Sequence, residues 1–202
     1  GSRHFVQFLF GTYHAPRRQN RVVLFIDMEG SSRIAEKLSS KDSLLFIASF
    51  IFDISAAIQR NGGDVINYTG DGLVATWPIK HTNRALLAME AMLSRIEANS
   101  DTYRNQFGMV PKFRIGVHAG EVVVAQVGAE KLFLSLYGDV VNIASRLEKM
   151  NKDLGTSILM SDTIICGIDN AHQEKLKLIG KKKIRGREEE IEVWTLQTPE
   201  DT

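Results

Sequence analysis

Val22-Val23-Leu24-Phe25-Ile26, followed at once by Asp27 and then by Gly30-Ser31-Ser32, decides how this chain folds. An unbroken apolar run of strand length belongs in the centre of a sheet, covered on both faces. Gly30-Ser31-Ser32 stops the run and can cap a helix. Helical sequence continues to Arg60, with a break near Ser39-Ser40. Leu44, Leu45, Ile47, Ala48, Ile51, Phe52, Ile54 and Ile58 give it a wide apolar face. Asn61-Gly62-Gly63 ends it, as helix C-termini prefer. Two short strands follow, 64–68 and 73–77, joined by the hairpin signature Thr69-Gly70-Asp71-Gly72 and closed by Pro78.

Outward from this unit, 83–99 reads as a helix with Ala85, Leu86, Met89, Met92, Leu93 and Ile96 on one face. Strands are expected at 113–117 and 122–125, turning at Ala119-Gly120, and again at 132–137. Asp139 opens a helix to about Asn151. A short strand at 158–160, a helix after Ser161 and a strand pair at 181–184 and 191–196 complete the reading. Residues 1–20 mix Phe5, Phe8, Leu9 and Phe10 with His14, Pro16, Arg17 and Arg18 and read as a lead-in, leaving 21–198 as one domain.

The 202 residues carry 25 Lys plus Arg against 24 Asp plus Glu, a net charge of +1, which argues against a strongly basic nucleic-acid binder and an acidic disordered tail. With 44% apolar and 24% charged residues, the composition is that of a globular domain. The lone cysteine, Cys166, allows no disulfide within the chain and no Cys-based metal site; it points to a reducing, cytoplasmic setting. The longest apolar run, 44–52, is far short of the ~20 residues of a membrane span, and no signal peptide is legible. Gly1-Ser2 reads as a cloning remnant, which leaves open an upstream regulatory or membrane-anchoring segment.

The order β-α-β-β-α-β is the ferredoxin-like arrangement of an α/β (α+β) domain with a central, mostly antiparallel sheet. A helix crossing between the first two strands makes them parallel, and the third lies between them, antiparallel. Asp27, ending the first strand, and Asp71, in the hairpin tip, then meet at one sheet edge. Two carboxylates there suit a hard cation such as Mg²⁺, and two metals bridged by two aspartates suit phosphoryl transfer. The helix start at Gly30-Ser31-Ser32 aims free N–H groups at the same place, which favours phosphate. An Asp before Gly is by itself an ordinary turn residue. Asp27 is harder to dismiss, because an unpaired charge ending a buried strand is costly. Asn142 and Arg146 lie one turn apart on a helix whose apolar face is Val140, Ala144, Leu147 and, to one side, Ile143; a solvated helix face is the plain alternative.

Four segments, in order, carry a resemblance. Phe25-Ile26-Asp27-Met28-Glu29-Gly30-Ser31-Ser32 resembles the metal-binding opening of class III nucleotidyl cyclases, and Thr69-Gly70-Asp71-Gly72 their second metal motif. Phe113-Arg114-Ile115-Gly116-Val117-His118-Ala119-Gly120-Glu121-Val122 is similar to their central hairpin. Tyr137-Gly138-Asp139-Val140-Val141-Asn142-Ile143-Ala144-Ser145-Arg146-Leu147-Glu148 is similar to their ribose and transition-state segment. The resemblance implies the cyclase fold and two Mg²⁺ (or Mn²⁺) ions per site on Asp27, Asp71 and the Met28 carbonyl. It implies nucleotide contacts from Gly30, Ser31 and Ser32, Asn142 orienting the ribose, and Arg146 neutralising charge on the α-phosphate. It also implies a head-to-tail homodimer in which the aspartates of one subunit meet the Asn/Arg pair of the other, turning ATP into 3′,5′-cyclic AMP and pyrophosphate in signal transduction.

Two positions depart from the pattern. ATP-using members commonly carry Lys four residues before the second metal Asp, where this chain has Asn67. They carry Asp or Thr three residues before the Gly of the Tyr-Gly-Asp segment, where it has Ser135. Asn67 can still donate to adenine N1 and Ser135 can still accept from the 6-amino group, without the charge-assisted strength of a lysine. The same side chains can also read guanine, so a guanylate cyclase is one alternative, and an ATP-holding signalling module without turnover is another. Asn61-Gly62-Gly63-Asp64 is similar to the glycine-acid loop of diguanylate cyclases, but Val65 and Ile66 stand where that family has an acid and an aromatic residue. His118 and Trp77 read as structural. Glu29 reads as an acid favoured in a helix's first turn that can assist the metals. Lys181-Lys182-Lys183, Arg185 and Arg187, answered by Glu188-Glu189-Glu190, read as an exposed hairpin of opposed charge.

Overall fold

The computed structural model describes residues 16–127, 133–184 and 189–196. The strands are β1 (Arg17–Met28), β2 (Asp64–Tyr68), β3 (Gly72–Pro78), β4 (Phe113–Val127), β5 (Phe133–Tyr137), β6 (Ile158–Ser161), β7 (Leu176–Lys183) and β8 (Glu190–Leu196). The helices are α1 (Ser31–Lys37), α2 (Ser40–Arg60), α3 (Thr82–Ala98), α4 (Ser100–Phe107), α5 (Asp139–Leu154), α6 (Asp162–Ile165) and α7 (Asn170–Gln173). The strands form one sheet in the order β2-β3-β1-β4-β6-β8-β7, with β5 paired to β4. β3 runs antiparallel to both β1 and β2, so β1 and β2 are parallel with β3 between them, as the right-handed crossover requires.

Side-chain alternation sorts β1 onto two faces. Val22, Leu24, Ile26 and Met28 join the core beneath α2, α3 and α4, where Phe46, Phe50, Ile54 and Ile58 of α2 are fully buried. Each such side chain is worth ~1.5–3 kcal/mol of transfer. By length and composition α2 is the one helix among the described residues apolar enough to cross a bilayer, yet this inward stripe belongs to the core. Val23 faces the other way, with Val122, Val124, Val140 and Ala144, beneath α5. Trp77 is core, as expected, and its indole N–H donates to the Asn61 carbonyl at 3.1 Å.

Several expectations need correction. The segments 113–117 and 122–125 are not a hairpin: β4 is a single strand, extended through Ala119-Gly120 and paired with β1 from Met28↔Phe113 to Arg17↔Val124. A long partner overrides the local turn signal, and Gly120 is small because Val140 packs there, 2.8 Å from where a Cβ would stand. The same pairing places Arg17–Asn20, read as lead-in, inside β1; Phe5, Phe8, Leu9, Phe10 and His14 lie outside the described residues, as do Leu132, Arg185, Arg187 and Glu188. Gly30, in the left-handed region at φ 69°, is the N-cap of α1, and no side chain caps it, so Ser31 and Ser32 begin the helix and do not cap it. Glu29 therefore precedes the helix. The break near Ser39-Ser40 is real: Ser39 caps α2 by accepting from the Asp42 N–H at 3.1 Å. α4 was not foreseen. Lys181 faces Glu192 and Lys183 faces Glu190 across β7–β8, the expected opposition of charge.

Candidate active site

β1 and the β2–β3 tip meet because Gly72 has no side chain. A Cβ there would stand 2.2 Å from the Ile26 carbonyl and 3.0 Å from Asp27 Oδ1. The Met28 N–H then donates to the Asp71 carbonyl at 3.2 Å, and the Asp27 and Asp71 carboxyls are hydrogen-bonded to each other. Burial raises the pKa of Asp27, and the neighbouring charge and hydrogen bond of Asp71 raise it further; Arg114 and Lys149 pull the other way. Two acids in contact resist ionising together. The pair thus favours a shared proton or a cation of higher charge. Among the described residues no three His, Cys, Asp or Glu converge as a metal cluster. A two-carboxylate set suits Mg²⁺ whose remaining positions go to substrate phosphates and water.

A second ring of charge lies behind this pair. Arg114 stands opposite Asp27 on β4 and makes its ion pair with Glu29, Nη2 to Oε2 at 2.9 Å. The Glu29 N–H donates to the Lys112 carbonyl at 2.7 Å. From α5, Glu148 is buried at 7% exposure, and desolvation, then the charges of Asp27 and Asp71 against those of Arg114 and Lys149, lift its pKa to about 7. α5 comes this close because Gly116 lies beneath it: a Cβ there would be 2.1 Å from the Glu148 nitrogen and 2.3 Å from the Ala144 oxygen. Sequence reasoning gave Arg114, Glu148 and Lys149 no role. The signal was present for Glu148, a carboxylate on the apolar stripe of α5 beside Leu147.

The other expected site residues are dispersed. Asn142 is exposed and Arg146 half-buried, on one stripe of α5 with Lys149. Asn142 lies about two turns, ~10 Å of helix axis, before Lys149. Asn67 is exposed on β2, just after a bulge between Val65 and Asn67. Ser135, half-buried on β5, is opposite Ala125, and β5 touches β2 within the same chain. His118 is buried with Nδ1 2.6 Å from Ser161 Oγ and 3.2 Å from Thr163 Oγ1, a structural tie between β4 and the β6–α6 corner.

The cyclase resemblance of the sequence and the mixed sheet agree with known proteins. The model of the adenylate and guanylate cyclase catalytic domain matches residues 13–198. The chain belongs to that family. Among relatives, it is 28% identical over 195 residues to adenylate cyclase 2 of Rhizobium meliloti, covering 95% of this chain and 54% of that protein, so this cyclase domain spans about half of that relative's length. The crystal structure of the adenylyl cyclase CyaB from P. aeruginosa superposes with a TM-score of 0.79 at 19% identity, over 91% of this chain and 96% of that one. The guanylyl cyclase Cya2 superposes with 0.77 at 19% identity, over the same shares, 91% and 96%. The cyclase fold is thus common to proteins named for either base, and its backbone does not select between them.

Proposed function

We propose that this domain converts ATP to 3′,5′-cyclic AMP and pyrophosphate. The observation that carries the reading is the hydrogen-bonded Asp27–Asp71 pair at the β1–β3 edge of a class III cyclase domain. Asp27, Asp71 and the Met28 carbonyl would hold divalent ions, which when bound polarise the ribose 3′-hydroxyl and screen the triphosphate. Gly30, Ser31 and Ser32 lie next in sequence, where the triphosphate would rest. The ribose 3′-oxygen bonds to the α-phosphorus, the bond from that phosphorus to the bridging oxygen breaks, and the 3′-hydroxyl proton passes to solvent. Arg146 stabilises charge growing on the α-phosphate, and Asn142 fixes the ribose. Asn67 donates to adenine N1 and Ser135 accepts from the 6-amino group; the contact of β2 with β5 supports both acting from one subunit.

The α5 cation that acts on Asp27 is Lys149, while Asn142 sits about two turns away. That spacing supports Asn142 serving the aspartates of a second copy, and by the cyclase resemblance Arg146 acts with it. Purified protein with Mn²⁺ and either ATP or GTP, read by mass detection of products, tests the reaction: cyclic AMP is expected, and cyclic GMP alone, or no cyclic product, overturns it. Asp27→Ala and Arg146→Ala should each be inactive. Mixed in equal amounts with proven exchange, half the dimers are mixed, each with one intact site of two, so activity returns to about a quarter of wild type. No recovery despite exchange means the sites are not shared.

A further inference from the structure

We propose that Glu29 is a positioning residue whose carboxylate holds the Arg114 guanidinium off Asp27 and Asp71, so that the aspartate pair stays open to divalent cations. The inference rests on the reading of that pair as the metal site. Arg114 is directly opposite Asp27 across β1 and β4. Opposed residues of an antiparallel pair share a face with Cβ atoms ~4.5–5.5 Å apart, within easy reach of a guanidinium. An Arg–carboxylate fork between such neighbours is the expected pairing. Arg114 turns instead to Glu29, at 2.9 Å.

The acceptor is anchored. The Glu29 N–H is bonded to the Lys112 carbonyl, on the segment that leads into β4, which ties the backbone of Glu29 to a point two residues before Arg114. Both side chains line a cleft of about 440 Å³, with Lys112, Phe113 and Lys152 among its other walls. Held there, Arg114 still lowers the pKa of Asp27 through space, while its ion pair is made with Glu29 and not with the aspartates. With Glu29 neutral, the carboxyls whose fields meet that of Arg114 are those of Asp27 and Glu148. The guanidinium of a side chain only 24% exposed does not stay unpaired, and it would take the lone pairs that a metal needs.

Mn²⁺ titration of the nucleotide-free protein, with free Mn²⁺ followed by electron paramagnetic resonance, tests this without turnover. Thermal unfolding first shows that each variant is folded. Glu29→Gln should weaken Mn²⁺ binding roughly three- to tenfold, as expected for one partly exposed ion pair redirected onto the site. Arg114→Gln alone should bind Mn²⁺ as well as wild type or better. The double variant Glu29→Gln/Arg114→Gln should return to within about twofold of wild type, since the competing cation is gone. A double variant as weak as Glu29→Gln overturns the inference, because Glu29 then serves the metal or the turn directly; so does an unchanged Glu29→Gln. Asp27→Asn separates the two readings: Mn²⁺ binding that it does not weaken removes the metal site itself and the inference with it.

Discussion

Asp27, half-buried, and Asp53, buried, lie on opposite faces of the same sheet, and their hydrogen-bond partners differ in kind. Asp53, between α2, α3 and α4, is surrounded by donors: Arg95 Nε at 2.7 Å, Asn99 Nδ2 at 3.0 Å and the Tyr103 hydroxyl at 2.8 Å. The Tyr103 pKa is raised, by burial first and then by its bond to Asp53, so the phenol stays a donor. Asp27 has another acid as its hydrogen-bond partner, and the nearest cation, Arg114, is engaged by Glu29. A buried carboxylate with its lone pairs filled locks helices together. One left beside a second acid is under strain that a bound cation relieves. The difference is what the proposed role of Asp27 as a metal-holding carboxylate, and of Asp53 as a structural one, leads one to expect.

The largest effects should split along this line. Asp27→Asn should lower cyclic nucleotide formation by at least ~100-fold, because the metals supply several kcal/mol of charge stabilisation. It should leave the melting temperature unchanged or slightly raised, since it removes like-charge repulsion. Asp53→Asn should do the reverse. It strands Arg95 and the Tyr103 hydroxyl, costs about 2–4 kcal/mol in denaturant unfolding, and keeps the turnover of the molecules that remain folded. Denaturant curves and product assays on the same two preparations check both halves. A stable, inactive Asp53→Asn would break the distinction.

Much of this contrast was legible in the sequence, but not all of it. The run Val22–Ile26, the hairpin signal around Gly70-Asp71-Gly72 and the helix between them fix the strand order, and that order, with Gly72 opposite Asp27, brings Asp27 to Asp71. What stayed hidden depends on register and on packing between distant segments. That Arg114 faces Asp27 follows from a strand pairing which includes Arg17–Asn20, where no apolar pattern announces a strand. That Glu148 is buried beside the aspartates follows from the close approach of α5 over Gly116. The donors around Asp53 come from α3, α4 and the Asn99 junction between them, and α4 has too short an apolar pattern to be distinguished from a loop.

The region behind Asp27 can be probed by pH. Glu148 has an ordinary carboxyl pKa near 4.5 when exposed and about 7 when folded. The folded chain therefore binds the proton more tightly, and this contribution is fully present below the unfolded value and lost as pH rises through the folded one. Stability should fall between about pH 4.5 and pH 7, by up to ~3 kcal/mol from this group alone. Asp27, raised in the same sense, adds to the fall at its lower end. Glu148→Gln should flatten the upper part of the curve, and denaturant midpoints across that range read the change. A fall of the same size in Glu148→Gln would place the titrating group elsewhere.

The smallest effect concerns the exposed side of the proposed site, far from the buried charge. Asn67 follows the bulge between Val65 and Asn67 in β2, and bulges re-aim the side chains beside them. It is exposed and carries no charge, where the cyclase resemblance implies a lysine for ATP use. Asn67→Lys would offer adenine N1 a cationic donor in place of an amide, a gain of roughly 1 kcal/mol, or about fivefold in ATP affinity. Because the position is solvated, stability should change by less than ~0.5 kcal/mol, so the gain would be read without a folding correction. The amide of Asn67 can present either its oxygen or its NH₂ to a base, while an ammonium only donates, so the same substitution should weaken any acceptance from guanine N1–H. ATP and GTP competition against a fluorescent nucleotide analogue measures both. Unchanged ATP binding would mean that Asn67 does not face the base, and a gain for GTP instead of ATP would reverse the base assignment.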